Sequence, residues 1–132
     1  IEERLTEYER QFEKTGISIH YFLSEGNALS GGLAITKEDF EFLMRQYGEE
    51  VQFVMVNMTD GSQETVDSAT QFITEKGYTF PVYYDTKMEG AYYYSVYSLP
   101  MTYFIDADGN VAASSRGMIS GENLQKGIEA IR

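Results

Sequence analysis

The feature that most constrains this chain is its alternation of short β-prone apolar runs with segments of helical periodicity. Ile17–Leu23 and Val51–Met58 are compact apolar runs of strand length, of the kind buried on both faces of a parallel sheet. Between them, Phe40, Leu43, Met44 and Tyr47 make one helical face that ends at Gly48. Thr36 followed three residues later by Asp39 resembles a capping box at its start. A strand, a helix and a second strand in that order predict a right-handed crossover, and a sheet covered by helices on both faces.

The rest of the chain extends the pattern. Leu5, Tyr8 and Phe12 recur at helical spacing, which predicts an amphipathic helix over 2–15 with Gly16 as its stop. Residues 24–35 carry three glycines without clear periodicity and read as a loop. After the break Thr59-Asp-Gly-Ser62, a helix carrying Val66, Ala69 and Ile73 runs to Gly77. Phe80–Tyr84 is short, and Pro81 has no N–H to donate, so this run suits a sheet edge. A short helix crowded with tyrosine is expected over 89–95. Met101–Ile105 and Val111–Ser115 flank Asp106-Ala-Asp-Gly-Asn110, whose Asp-Gly step predicts a hairpin. Ser120 then caps a final helix that turns Leu124, Ile128 and Ile131 inward. These elements imply one α/β domain over residues 1–132, with a largely parallel sheet finished by one antiparallel hairpin.

Composition narrows function mainly by exclusion. A hydrophobic fraction of 42% supports a packed core. The formal charge of −11 opposes phosphate backbones and anionic lipid, and the ten Lys and Arg are scattered, so nucleic acid is not an expected partner. No run approaches the roughly 18 apolar residues of a membrane span, so direct membrane insertion of this segment is not expected either. Ile1 in place of Met reads as a processed or truncated product. There is no cysteine, which excludes disulfides, thiolate metal sites and thiol catalysis together.

Residues 47–131 resemble the thioredoxin superfamily, and within it the TlpA/ResA-like group of bacterial thiol-disulfide oxidoreductases. The resemblance rests on Tyr47-Gly-Glu-Glu-Val-Gln-Phe-Val-Met-Val-Asn57, on Thr59-Asp-Gly, on Gly77-Tyr-Thr-Phe-Pro-Val-Tyr-Tyr-Asp85, and above all on Tyr97-Ser-Leu-Pro-Met-Thr-Tyr-Phe-Ile-Asp-Ala-Asp-Gly-Asn110. It implies a thioredoxin-like fold: a central mixed sheet of about five strands ordered 80–84, 51–57, 17–23, 101–105, 111–115, helices on both faces, and a C-terminal hairpin plus helix. It also implies a cis-proline at Pro100, whose neighbouring backbone, Leu99 and Met101, pairs with an extended peptide in the family. An extracytoplasmic, membrane-tethered or secreted location in bacteria follows from the same resemblance.

The family's Trp-Cys-x-x-Cys is missing. Counting back from Asp39 without gaps puts Ser30 and Leu33 at the two cysteine positions, with Gly31 beside them; counting forward from the strand puts the motif near Ser24–Ala28. Neither supplies a nucleophile, because a serine hydroxyl is barely ionised near neutral pH and forms no disulfide.

Other motifs carry less. Gly26 and Gly31 have phosphate-loop spacing, but Gly32 and Leu33 stand where Lys and Ser or Thr are required. The Asp106–Asn110 segment superficially matches a calcium loop, yet Gly117 occupies its twelfth position, so a turn is favoured. No metal or cofactor is expected. His20 reads as a strand residue with a hydrogen bond. The tyrosines at 83, 84, 92–94 and 97 read as packing, with a partner surface as the sharper alternative. The expected function is a redox-inactive thioredoxin-like module that binds a peptide or protein or is purely structural, its oligomeric state open. The alternative is a derivative or fragment of a TlpA-like disulfide reductase whose active-site segment is missing or replaced.

Overall fold

A computed structural model of the chain describes residues 16–24, 32–96 and 99–132. The helix expected over 2–15 and most of the 24–35 loop lie outside these residues. The described elements run β1 (Gly16–Phe22), α1 (Lys37–Tyr47), β2 (Val51–Asn57), α2 (Val66–Lys76), β3 (Val82–Tyr84), α3 (Glu89–Tyr93), β4 (Met101–Ile105), β5 (Val111–Arg116) and α4 (Gly121–Ile131).

The five strands form one sheet in the order β3-β2-β1-β4-β5, as the family resemblance implies. β1 pairs parallel with β2, and β2 with β3; β1 pairs antiparallel with β4, and β4 with β5. The expectation of a largely parallel sheet with a single antiparallel hairpin is therefore corrected. Two of the four pairings are antiparallel, because the chain leaving α3 enters β4 running against β1. Apolar periodicity reports that a strand is buried and says nothing of its direction.

Side-chain alternation splits the core in two. Phe22, Val51, Phe53, Met55 and Phe104 face Phe40, Leu43 and Tyr47 of α1, Phe72 of α2, and Leu124, Ile128 and Ile131 of α4. Ile17, Ile19, Tyr21, Val54, Val56, Met101, Tyr103 and Ile105 form the opposite layer, where Tyr94, Val96 and Leu99 pack on them. Two close approaches set the spacing of the first layer. A Cβ on Gly127 would collide with the Phe104 ring, and one on Gly16 would collide with the backbone of Ile131.

The helix ends follow local chemistry. Thr36 accepts from the Asp39 N–H and Ser120 from the Asn123 N–H. The reciprocal capping box forms at α2, where the side chains of Thr65 and Ser68 each accept from the other's backbone N–H. A serine in the third position is a weaker sequence signal than Glu or Gln, so this box escapes a reading of the pattern. Within α2, Ala69 and Phe72 are buried, whereas Val66 is exposed. The inward stripe thus starts one turn later than the apolar residues suggest. Gly77 ends the helix at φ 70°, a left-handed cap that suits glycine.

Two further boundaries contract. The strand expected over 80–84 is only Val82–Tyr84, at the sheet edge beyond Pro81, and the helix over 89–95 stops at Tyr93. Phe80 joins the core instead, stacked on Tyr78 and edge-on to Phe40.

Candidate functional site

The carboxyl end of β1 leads into residues 24–35, where the family resemblance puts the missing cysteine positions. Leu23, just past β1, bridges Gly32, whose N–H donates to the Leu23 carbonyl at 2.6 Å. That bond ties together the two ends of the cysteine-free segment. From Gly32 the chain runs inward: Leu33, Ala34 and Ile35 are all buried, Leu33 at 7% exposure. Leu33 is thus packed in hydrocarbon with Phe40 and Leu43 around the start of α1. Ser30 and Gly31 lie outside the described residues.

Next to this closure sits a buried carboxylate. Glu64, with no exposed surface, accepts from the Ser24 N–H and the Ser24 hydroxyl at 2.6 Å each, from Asn57 Nδ2 at 2.8 Å and from the Ser68 hydroxyl at 3.0 Å. Asn57 is held in turn by Thr59, whose hydroxyl donates to Asn57 Oδ1 at 2.7 Å. Burial pushes the Glu64 carboxyl up, and the hydrogen bonds from Asn57, Ser24 and Ser68 outweigh it, so the group titrates below the ordinary carboxylate range. The turn before Glu64 is shaped by Asp60, whose carboxylate accepts from the Ser62 and Glu64 N–H groups. Those backbone bonds lower the Asp60 pKa despite a small opposing effect of burial. Sequence reasoning missed Glu64. It is one of 21 acidic residues, and nothing in Gly61-Ser-Gln-Glu64 marks it as buried.

On the other side of β1, the Leu99–Pro100 peptide bond is cis, as the resemblance implies. Pro100 and Met101 are buried, and Leu99 is half-buried against Tyr21 and its neighbours. The Pro100 carbonyl accepts from the Gly117 N–H at 2.8 Å, and Met101 is held in the ladder between Tyr21 and Arg116. Among the described residues, neither the N–H nor the carbonyl of Leu99 has a hydrogen-bond partner. Leu99, Pro100 and Met101 are thus brought together, but only Leu99 offers unpaired main chain.

The remaining candidates resolve individually. His20 is buried between strands, with Nε2 2.8 Å from the Ser18 hydroxyl and Nδ1 3.3 Å from that of Thr102, and Phe40 meets its ring edge-on. Burial lowers its pKa to about 3, so it is a neutral core residue at physiological pH. The Asp106 carboxylate points back at the Asp108 and Asn110 N–H groups and closes the hairpin turn. Of the three consecutive tyrosines, Tyr92 and Tyr93 are 89% and 65% exposed, while Tyr94 turns in to pack on Tyr103. One helix turn cannot aim all three inward.

The AhpC/TSA family pattern matches residues 36–114. The thiol-disulfide oxidoreductase ResA of Oceanobacillus iheyensis is 34% identical over 84 residues, which cover 63% of this chain and 42% of that protein. The chain therefore spans about two fifths of that relative's length. Among solved structures, StoA of Bacillus subtilis superposes with a TM-score of 0.71 at 19% identity, covering 87% of this chain and 83% of its own. The exposed lipoprotein thioredoxin Etrx1 of Streptococcus pneumoniae gives 0.77 at 15% identity, with 92% and 89% covered. These structural likenesses establish the thioredoxin-like fold.

Proposed function

We propose that this chain, which belongs to the AhpC/TSA family, serves as a redox-inactive thioredoxin-like module that binds an extended peptide segment along Leu99. Dithiol exchange needs a thiolate and a second, resolving thiol, and these 132 residues contain no sulfhydryl. The N–H and carbonyl of Leu99, which have no hydrogen-bond partner among the described residues, are the observation that carries the binding half of the reading. Main-chain groups left open beside a strand are what β-strand addition uses. The buried Glu64–Ser24 bonds and the Leu23–Gly32 bridge hold the chain leaving β1 in place without chemistry. The net charge of −11 favours a partner segment with basic residues.

The test titrates an extended peptide of alternating lysine and valine, which has no thiol, into the labelled protein. Amide shifts confined to Leu99, Met101 and Gly117 are expected, weakening as salt rises. Failure of this probe and of other basic extended peptides to move those amides would leave a purely structural role. Reduction of intact insulin above background would overturn the reading altogether.

The alternative, a piece of a thiol-disulfide reductase, draws on the 42% coverage of the ResA relative. A Trp-Cys-x-x-Cys encoded ahead of Thr36 in the complete gene would favour it. An extracytoplasmic setting, tethered or secreted, suits either reading: similar structures include an exposed lipoprotein and a secreted disulfide oxidoreductase of Mycobacterium tuberculosis. No helix among the described residues is long and apolar enough to cross a membrane.

A further inference from the structure

A depression lies between one side of α1 and the segment leading into β3. Glu41, Met44 and Arg45 stand across from Thr79, Phe80 and Pro81, and Lys37 closes one end of a groove of about 400 Å³. That is within the size range of small-molecule sites. Met44, Phe80 and Pro81 supply an apolar lining. The polar groups at the rim are unequally committed. Lys37 Nζ holds Glu41 Oε1 at 3.0 Å, and the Thr79 hydroxyl donates to Glu41 Oε2 at 2.9 Å, so both carboxylate oxygens already have donors. Arg45 is exposed and makes no hydrogen bond or ion pair with any described residue. Its charge nonetheless reaches the groove: after the Lys37 and Thr79 hydrogen bonds, Arg45 is among the charges that lower the Glu41 pKa.

The rim therefore carries two cations and one anion, each oxygen of the anion already has a donor, and one guanidinium has no partner among the described residues. A cationic ligand would meet the Lys37 and Arg45 charges against a single carboxylate whose oxygens already hold Lys37 and Thr79. A bare phosphate or sulfate would leave Met44, Phe80 and Pro81 facing water. A guanidinium presents two parallel N–H donors that match a carboxylate, and the apolar lining rewards a hydrocarbon body. We infer that this groove binds a small monocarboxylate with an unbranched apolar body, Arg45 taking the carboxylate and Met44, Phe80 and Pro81 taking the chain. The inference is independent of peptide binding at Leu99, since the groove contains neither Leu99 nor Met101.

Octanoate is the probe, followed by NMR on protein labelled at backbone amides and methionine methyls. Saturable shifts at the Met44 methyl and at the Thr79 and Phe80 amides are expected, with octylammonium producing none. Arg45→Gln keeps the length and polarity of the side chain and removes its charge. It should weaken octanoate binding about tenfold, the loss of a charge-assisted hydrogen bond, with an unchanged circular dichroism spectrum. Equal shifts from octylammonium, non-saturating shifts scattered over the surface, or undiminished binding by the Arg45 variant would each overturn the assignment. Tighter binding of N-acetyl-leucine than of octanoate would overturn the choice of a free alkyl carboxylate in favour of a peptide C-terminus.

Discussion

The Glu64 carboxylate takes both the backbone N–H and the hydroxyl of Ser24 at 2.6 Å, joining residues forty positions apart. One acidic side chain thus fixes the point where the chain leaves β1. Because the Glu64 pKa is depressed in the folded protein, its contribution to stability is present above the unfolded carboxylate value and is lost as pH falls through the folded one. Glu64→Gln would set an amide N–H₂ against donors and should cost about 2 kcal/mol at pH 7. Urea unfolding from pH 7 downward should show the variant losing less stability than the parent below pH 4.5, near the ordinary value of this carboxyl. Identical slopes would remove Glu64 from this account.

His20 should act in a higher window. Its folded pKa of about 3 lies far below the ordinary value of 6.5, so between those limits the unfolded chain binds a proton that the folded one does not. Stability then falls as pH drops from 6.5, at up to about 1.4 kcal/mol per unit. His20→Asn should flatten the slope between pH 6 and 5, whatever its effect at pH 7. An imidazole signal from the folded protein that titrates near pH 6 would contradict the buried, neutral assignment.

Gly127 and Phe104 should behave as a coupled pair. Gly127→Ala drives a methyl into the Phe104 ring, and overpacking of this kind costs about 1–3 kcal/mol. Adding Phe104→Leu should recover part of that loss, giving a non-additive double-mutant cycle in thermal unfolding. Additive effects would mean that the backbone yields instead of the ring.

Tyr47 ties α1 to α4. Its hydroxyl donates to Glu129 Oε1 at 2.9 Å and accepts from Gln125 Nε2 at 3.0 Å. Tyr47→Phe keeps the ring in the core and should cost about 1 kcal/mol, read as a lower urea midpoint with an unchanged slope.

The candidate site was only partly legible in the chain. Pro100 and its neighbours were located through the family resemblance, which is carried by consecutive residues from Tyr97 to Asn110. Glu64 was not, since its donors come from Ser24, Asn57 and Ser68 and no periodicity links those positions. That Leu99 main chain and Arg45 have no partner among the described residues was equally hidden, because pairing is a property of the assembled structure.

From β1 onward the order of strands and helices was written in the sequence, as were the hairpin at Asp108-Gly109, the edge placement of the run after Pro81, and the lack of a thiol in these 132 residues. Each follows from local backbone preference, side-chain spacing or a missing atom type. The family resemblance added the strand order. Only the tertiary structure decided that Val66 faces out while Phe72 faces in, that His20 is buried neutral, and that Glu64 is buried on the hydroxyl and amide of Ser24. Those outcomes depend on which surfaces meet across the sheet, and desolvation and hydrogen-bond satisfaction act only once they have met.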